Sequence, residues 1–261
     1  VKGGYWPVSG ARGVFGGGDS PSRINIIDYV TIATLGDAAD FGDLSAARGS
    51  IGNSASSFTR GIFAGGLQPT ATDIIEYITI MTAGNSVDFG DLSTAIRDAS
   101  GLSNSVRALH GGGVSPTNVI NYWQIASLGN STDFGDLTVA RYYMGAAASP
   151  TRGAWAGGET PTVQNTIDYV TIASTGNAQD FGNLTATKAN PTGASSSTRG
   201  VFCGGSTPTY TDDIEYITIS STGNAIDYGN LTANNKASQT TSNSVRVVCA
   251  GGKPNDPAGN E

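Results

Sequence analysis

Along this chain apolar and polar residues alternate in short runs, and the runs return in a fixed order. ARGVFGGG at 11–18 is a strand-length stretch running into glycines, and related wording begins at residues 59 (TRGIFAGG), 105 (SVRALHGGG), 151 (TRGAWAGG), 198 (TRGVFCGG) and 244 (SVRVVCAGG). Its arginines, Arg12, Arg60, Arg107, Arg152, Arg199 and Arg246, stand 48, 47, 45, 47 and 47 residues apart. After each of the first five comes a proline-containing link (DSPSR, LQPTA, VSPTN, ETPTV, STPTY), then a β-branched and aromatic run (IIDYVTI, IIEYITI, VINYWQI, TIDYVTI, DIEYITI). A Gly-Asn or Gly-Asp turn follows, then DFGDL, DFGDL, DFGDL, DFGNL or DYGNL, and a Ser/Ala/Gly-rich segment leads into the next copy. The β-branched and aromatic content and the turn residues predict four short strands per unit. No stretch carries the 3.6-residue period of an amphipathic helix.

A period near 47 residues with four strands per unit is the pattern of a propeller blade. One blade cannot bury both of its faces, so each copy stacks on a neighbour, and recurring residues are best read as the core of that stack. On this reading Phe41, Phe89, Phe134, Phe181 and Tyr228 pack the seams between blades. The six arginines face Asp40, Asp88, Asp133, Asp180 and Asp227 in fork-to-carboxylate contacts. The paired glycines end the second strand of each blade at positive φ.

A strand ending in Gly65-Gly66, an acid beside tyrosine at Glu76-Tyr77, an aromatic before leucine at Phe89 and Leu92, and a basic Arg97 together resemble a kelch blade, with Phe or Tyr where kelch has tryptophan. The resemblance covers nearly the whole chain. It implies an all-β, kelch-like β-propeller in one domain over 1–252, with five complete four-stranded blades (1–44, 45–92, 93–137, 138–184, 185–231), half of a sixth (232–252) and a tail at 253–261. The phrase IDYVTIASTGNAQDFGNLT between RGVFGGG-type strands is similar to repeats in structural and tail-fibre proteins of marine bacteriophages, cyanophages among them. That likeness implies a non-enzymatic structural or adhesion propeller on a phage particle. Its partners would be other virion or fibre chains and a host-surface glycan. The alternative is a secreted, extracellular microbial kelch protein that binds or acts on carbohydrate.

Composition narrows the chemistry. With 14 basic and 21 acidic residues the net charge is −7 and no run of Lys or Arg occurs, which disfavours nucleic acid and anionic membrane surfaces. No apolar stretch approaches the roughly 20 residues of a membrane span, so no membrane insertion is expected. Cys203 and Cys249 occupy copies of one strand a single place out of register, so they should face opposite sides and form no disulfide. The single histidine, His110, stands where other copies have Phe or Trp and is expected to be a satisfied core residue. One histidine cannot build the two-histidine copper site of oxidases that share this architecture. The glycine clusters lack the Lys-Ser/Thr of a phosphate loop, and DAADFGD falls short of a calcium loop. No catalytic residue, cofactor or metal is therefore assigned.

What breaks the repeat is the better place for a site. The turns between third and fourth strands are nearly uniform (TLGDA, TAGNS, SLGNS, STGNA, STGNA), whereas the proline links on the opposite face diverge. They offer Arg23, Gln68, Glu159, Gln164 and Tyr210 as candidate binding residues for a neutral or weakly cationic glycan or a protein surface. The last unit stops after its second strand. Either a six-position ring takes its missing half-blade from sequence beyond the segment or from a partner chain, or five blades close and the terminal strand pair packs outside as a strap.

Overall fold

The computed structural model describes residues 12–19, 21–52 and 55–254. Every regular element among them is a strand. Blade 1 contributes Arg12–Gly16, Ile26–Thr31 and Ala39–Asp43, and its first strand, expected around Gly4, lies outside the described residues. Blade 2 is Ala55–Ser56, Arg60–Ala64, Thr70–Thr79 and Val87–Ile96, and blade 3 is Ser100–Ser103, Arg107–Gly111, Val119–Gln124 and Thr132–Asp136. Blade 4 is Gly145–Ala148, Arg152–Ala156, Thr166–Thr171 and Gln179–Asn183, and blade 5 is Thr192–Ser195, Arg199–Cys203, Asp213–Thr218 and Ile226–Asn230. Neighbouring strands within each blade run antiparallel. A two-stranded half-blade follows, Gln239–Ser242 with Val247–Ala250.

The first strands pack against one another around the centre. They can do so because their residues are small: SGLS, GAAA and TGAS are buried throughout, and a Cβ built on Gly193 would strike the backbone of Ala146. Hydroxyls one repeat apart tie these strands together. Ser103 Oγ accepts from Ser56 N (2.9 Å) and donates to Ser56 O (2.8 Å), Ser195 Oγ accepts from Ala148 N (3.0 Å), and Ser242 Oγ donates to Ser195 O (2.8 Å). Burying these hydroxyls costs little because each is bonded.

At four seams the guanidinium reaches the next blade. Arg12, Arg60, Arg107 and Arg152 donate to the carbonyls of Ile80, Ile125, Ile172 and Ile219 at 3.1, 2.8, 3.1 and 3.2 Å, just past the neighbour's third strand. Each also lies 4.4–5.0 Å over a tyrosine of its own blade, Tyr29, Tyr77, Tyr122 or Tyr169. The expected pairing of these arginines with Asp40, Asp88, Asp133, Asp180 and Asp227 is thus replaced by carbonyl bonds and ring stacking. The aspartates stand exposed at the start of the outer strand, and strand alternation puts the arginine on the tyrosine's side of the blade.

Arg246 of the half-blade repeats the seam contact on Ile32 of blade 1, at 3.3 Å. A Cβ built on Gly13 of blade 1 would press on Thr241 of the half-blade, as one on Gly153 presses on Leu102 and one on Gly200 on Ala147. The terminal strand pair therefore sits in the ring between blade 5 and blade 1. It is not an external strap.

Phe41, Phe89, Phe134 and Phe181 are 2–3% exposed, as a seam role requires. Tyr228 departs from that expectation at 62% exposed, because among the described residues no third and fourth strands of the half-blade cover it. The glycine pairs do turn the second strand at positive φ, as at Gly65 (66°) and Gly66 (110°), where a Cβ on Gly65 would stand 2.6 Å from Ile96 O.

Candidate functional site

Beneath the proline-link face lie buried ion pairs. Arg48 Nη2 meets Glu76 Oε2 at 2.7 Å, Arg141 Nη2 meets Asp168 Oδ2 at 2.7 Å, and Lys188 pairs with Glu215, with all six side chains 0–2% exposed. Each cation comes from the link entering a blade and each acid from that blade's third strand. Desolvation lowers the Arg48 and Arg141 pKa values, partly offset by the attraction and hydrogen bond of the acid. Blade 3 carries Ile96 and Asn121 at these positions, so cation and acid are lost together. That is the outcome expected when one charge buried alone is much costlier than none. Recurrence and burial make these pairs scaffold. Arg97, the basic residue of the kelch pattern, stands one place beyond this column and faces the surface side.

One residue after that surface position, the backbone turns left-handed in every link. Ser50, Asp98, Tyr143, Asn190 and Ala237 have φ between 52° and 60°. A side chain at positive φ costs of order 1 kcal/mol. Here the turn aims each N–H at the equivalent carbonyl of the preceding blade: Asp98 N at Ser50 O (3.0 Å), Tyr143 N at Asp98 O (3.1 Å), Asn190 N at Tyr143 O (2.9 Å), Ala237 N at Asn190 O (3.3 Å). The result is a hydrogen-bonded arc over the first strands. The backbone repeats while its five side chains all differ.

On one sector of this arc the varied side chains meet. Asp98 is buried beside Arg97 (Nη1 to Oδ2, 3.3 Å), and Tyr142 and Tyr143, both partly exposed, stand edge to face with centroids 4.7 Å apart. Tyr142 exchanges backbone bonds with Glu159 in the proline link of blade 4. Burial raises the Asp98 pKa, with Asp19 adding to it and the Ser50 hydrogen bond and Arg97 opposing. Tyr142 and Tyr143 are raised as well, by partial desolvation and by the carboxylates of Asp98 and Glu159. Two aromatic edges flanked by acids and one arginine can stack on the apolar face of a ring-shaped ligand while accepting and donating hydrogen bonds around its rim.

Of the residues singled out in the sequence, Glu159 belongs to this cluster. Arg23 pairs with Asp19 in the blade 1 link at 3.6 Å. Gln68 sits in the Leu67–Gln68 hairpin of blade 2, Gln164 folds back on Thr162, and Tyr210 lies under the Lys236 ammonium at 4.4 Å. These three stand apart in the links of blades 2, 4 and 5. Asp98, Tyr142 and Tyr143 escaped the sequence reading, although their signal was present: two adjacent columns, each of five different residues, in front of otherwise similar strands.

His110 is buried as expected, but its Nε2 has no partner among the described residues, so it is not a satisfied core histidine. Burial lowers its pKa to about 4. Cys203 is buried and Cys249 exposed. Among the described residues no group of three or more His, Cys, Asp or Glu is placed to hold a metal ion. No protein-family model and no curated protein matches the chain.

Proposed function

We propose that this chain is a non-enzymatic binding propeller whose proline-link face holds a neutral glycan through Tyr142, Tyr143, Asp98, Arg97 and Glu159. The β-propeller suits a binding role, since it holds variable links on a rigid repeating frame. The observation that carries the reading is the partly exposed tyrosine pair, 4.7 Å between centroids, flanked by carboxylates in a chain whose other positions mostly repeat. The wording of the repeats supports service on a phage particle, in a tail fibre or decoration protein anchored to other virion chains. The chain's acidity turns it from polyanions toward neutral surfaces.

A glycan array probed with the chain and with Tyr142→Ala and Glu159→Ala tests this. Binding to a defined set of neutral glycans that falls at least tenfold in both variants supports it. Silence on the array, or binding indifferent to both substitutions, overturns it. The raised pKa of Asp98, to which the carboxylate of Asp19 adds, beside a tyrosine pair that also feels Glu159, favours one further reading, a carbohydrate-active protein. Reducing ends released from a bound glycan would favour that second reading.

A further inference from the structure

Blade 5 breaks the repeat at two touching positions at once. Where Arg48 and Arg141 enter blades 2 and 4, the chain has Lys188. Where the third strands of blades 1 to 4 carry Ile26, Ile74, Val119 and Thr166, it has Asp213. The lysine needs no second acid to balance its charge, because Glu215 already stands where Glu76 and Asp168 meet the arginines. A guanidinium has further nitrogens for the backbone: Arg141 Nη1 donates to Gly157 O (3.0 Å) and Thr166 O (2.8 Å). Lys188 has one, and two carboxylates share it. Nζ is hydrogen-bonded to Glu215 Oε1 and stands 3.0 Å from Asp213 Oδ2.

The three groups are held from different sides. Lys188 N donates to Gln164 O (2.9 Å) and Lys188 O accepts from Gly158 N (2.7 Å), so the backbone of the lysine is bound to blade 4. Asp213 O accepts from Gly204 N (2.8 Å) inside blade 5, and Glu215 Oε2 accepts from Thr185 N (2.8 Å). Lys188 and Glu215 are buried, whereas the Asp213 side chain is 43% exposed and gives the cluster one opening to solvent. An amine and a carboxyl group fixed at 3.0 Å have the geometry from which well-oriented intramolecular reactions draw their high effective concentration.

We propose that Lys188 and Asp213 condense to an intramolecular amide, with Glu215 as the proton relay. The ammonium passes one proton to Glu215 Oε1 along their hydrogen bond. The lone pair freed on Nζ attacks Cγ of Asp213 and forms the C–N bond. The Cγ–Oδ2 bond breaks, and its oxygen leaves as water with the proton held by Glu215 and a second proton from Nζ. No oxidant, reductant or cofactor takes part. A proton from solvent then neutralises Glu215, so the product buries no carboxylate alone. Arg48 and Arg141 are excluded from this chemistry, since a guanidinium is not an amine nucleophile. The amide joins a link held by blade 4 to the third strand of blade 5, and so staples that seam covalently. It lies beneath the proline-link face and does not depend on what that face binds.

Intact mass spectrometry of the folded 261-residue chain tests this. The expected mass lies one water below that of the sequence. Trypsin should spare the bond after Lys188 and release one branched peptide that joins the segments around 188 and 213. The double variant Lys188→Arg with Asp213→Thr recreates the Arg141 and Thr166 arrangement of blade 4, keeps a buried ion pair with Glu215, and should fold at full sequence mass. Glu215→Gln keeps amine and carboxyl but removes the relay, and in freshly synthesised chain it should slow the loss of water at least tenfold. Full mass for the parent after prolonged incubation in the folded state would mean an ion pair only and overturns the proposal. So does a loss of water that persists in the double variant, or that tandem spectra place at other residues. Equal rates in parent and Glu215→Gln overturn the role of Glu215.

Discussion

Replacing Arg141 by isoleucine strands Asp168 in a site where its side chain is 0% exposed. The carboxylate would keep only Thr138, whose N (3.2 Å) and Oγ1 (2.6 Å) donate to it. Breaking a buried pair from one side costs about 3–5 kcal/mol, and Asp168→Asn, which strands the guanidinium, belongs in the same range. The double variant reproduces the Ile96 and Asn121 arrangement of blade 3. It loses the bonds from Arg141 to Gly157 O (3.0 Å) and Thr166 O (2.8 Å), about 2 kcal/mol together. It leaves no charge buried alone. Urea unfolding of parent, both singles and the double closes the cycle, with an expected coupling of about 3 kcal/mol or more in favour of the double. A double variant as unstable as the two singles combined would refute the idea that cation and acid are tied by the penalty of an unpaired charge.

Further outcomes follow from the same geometry. His110 has its folded pKa lowered to about 4 from 6.5, so the fold favours the neutral ring; its contribution is full above pH 6.5 and is lost as pH falls toward 4, about 3 kcal/mol in all. The difference in unfolding free energy between parent and His110→Phe, measured across pH 7 to 3.5, should change by that amount, and a flat difference would refute the assignment. Gly182 and Gly229 share nearly the same φ, 143° and 139°, but only Gly182 faces the next turn at 2.5 Å. Gly182→Ala should therefore destabilise by about 2 kcal/mol more than Gly229→Ala in thermal melts, and equal losses would mean the last seam is as filled as the others. Arg107→Ala removes a ring stack and bonds to Ile172 and Ala173, whereas Arg199→Ala removes only the stack on Tyr216, so the first should lower the melting midpoint further.

The strands, their order and the ring were legible because period and alternation carry them. The second strands begin at Arg12, Arg60, Arg107, Arg152 and Arg199, and the positive φ of the glycine pairs follows from where those strands end. The partner of the arginines was not legible, since recurrence alone cannot distinguish a carboxylate from a backbone carbonyl, and a carbonyl leaves no mark in sequence. The buried pairs were legible in principle, in the joint change at 48 and 76, 96 and 121, 141 and 168, 188 and 215, but invariant positions drew attention away from columns that vary in step. The candidate site hid for a related reason. Asp98 and Tyr143 belong to links into first strands, and their meeting over the arc depends on a left-handed turn that no residue type announces.

Ring closure is tested most directly by a crosslink between the terminal half-blade and the first blade. A Cβ placed on Gly13 stands 3.3 Å from Cβ of Thr241, close to disulfide geometry although the residues are 228 apart. With Cys203 and Cys249 replaced by serine, Gly13→Cys with Thr241→Cys should oxidise in air to one intramolecular disulfide, and its reduction should lower the unfolding midpoint. Two thiols that stay reduced in the folded chain, or that link only between molecules, would place the half-blade elsewhere and contradict a ring closed between it and blade 1.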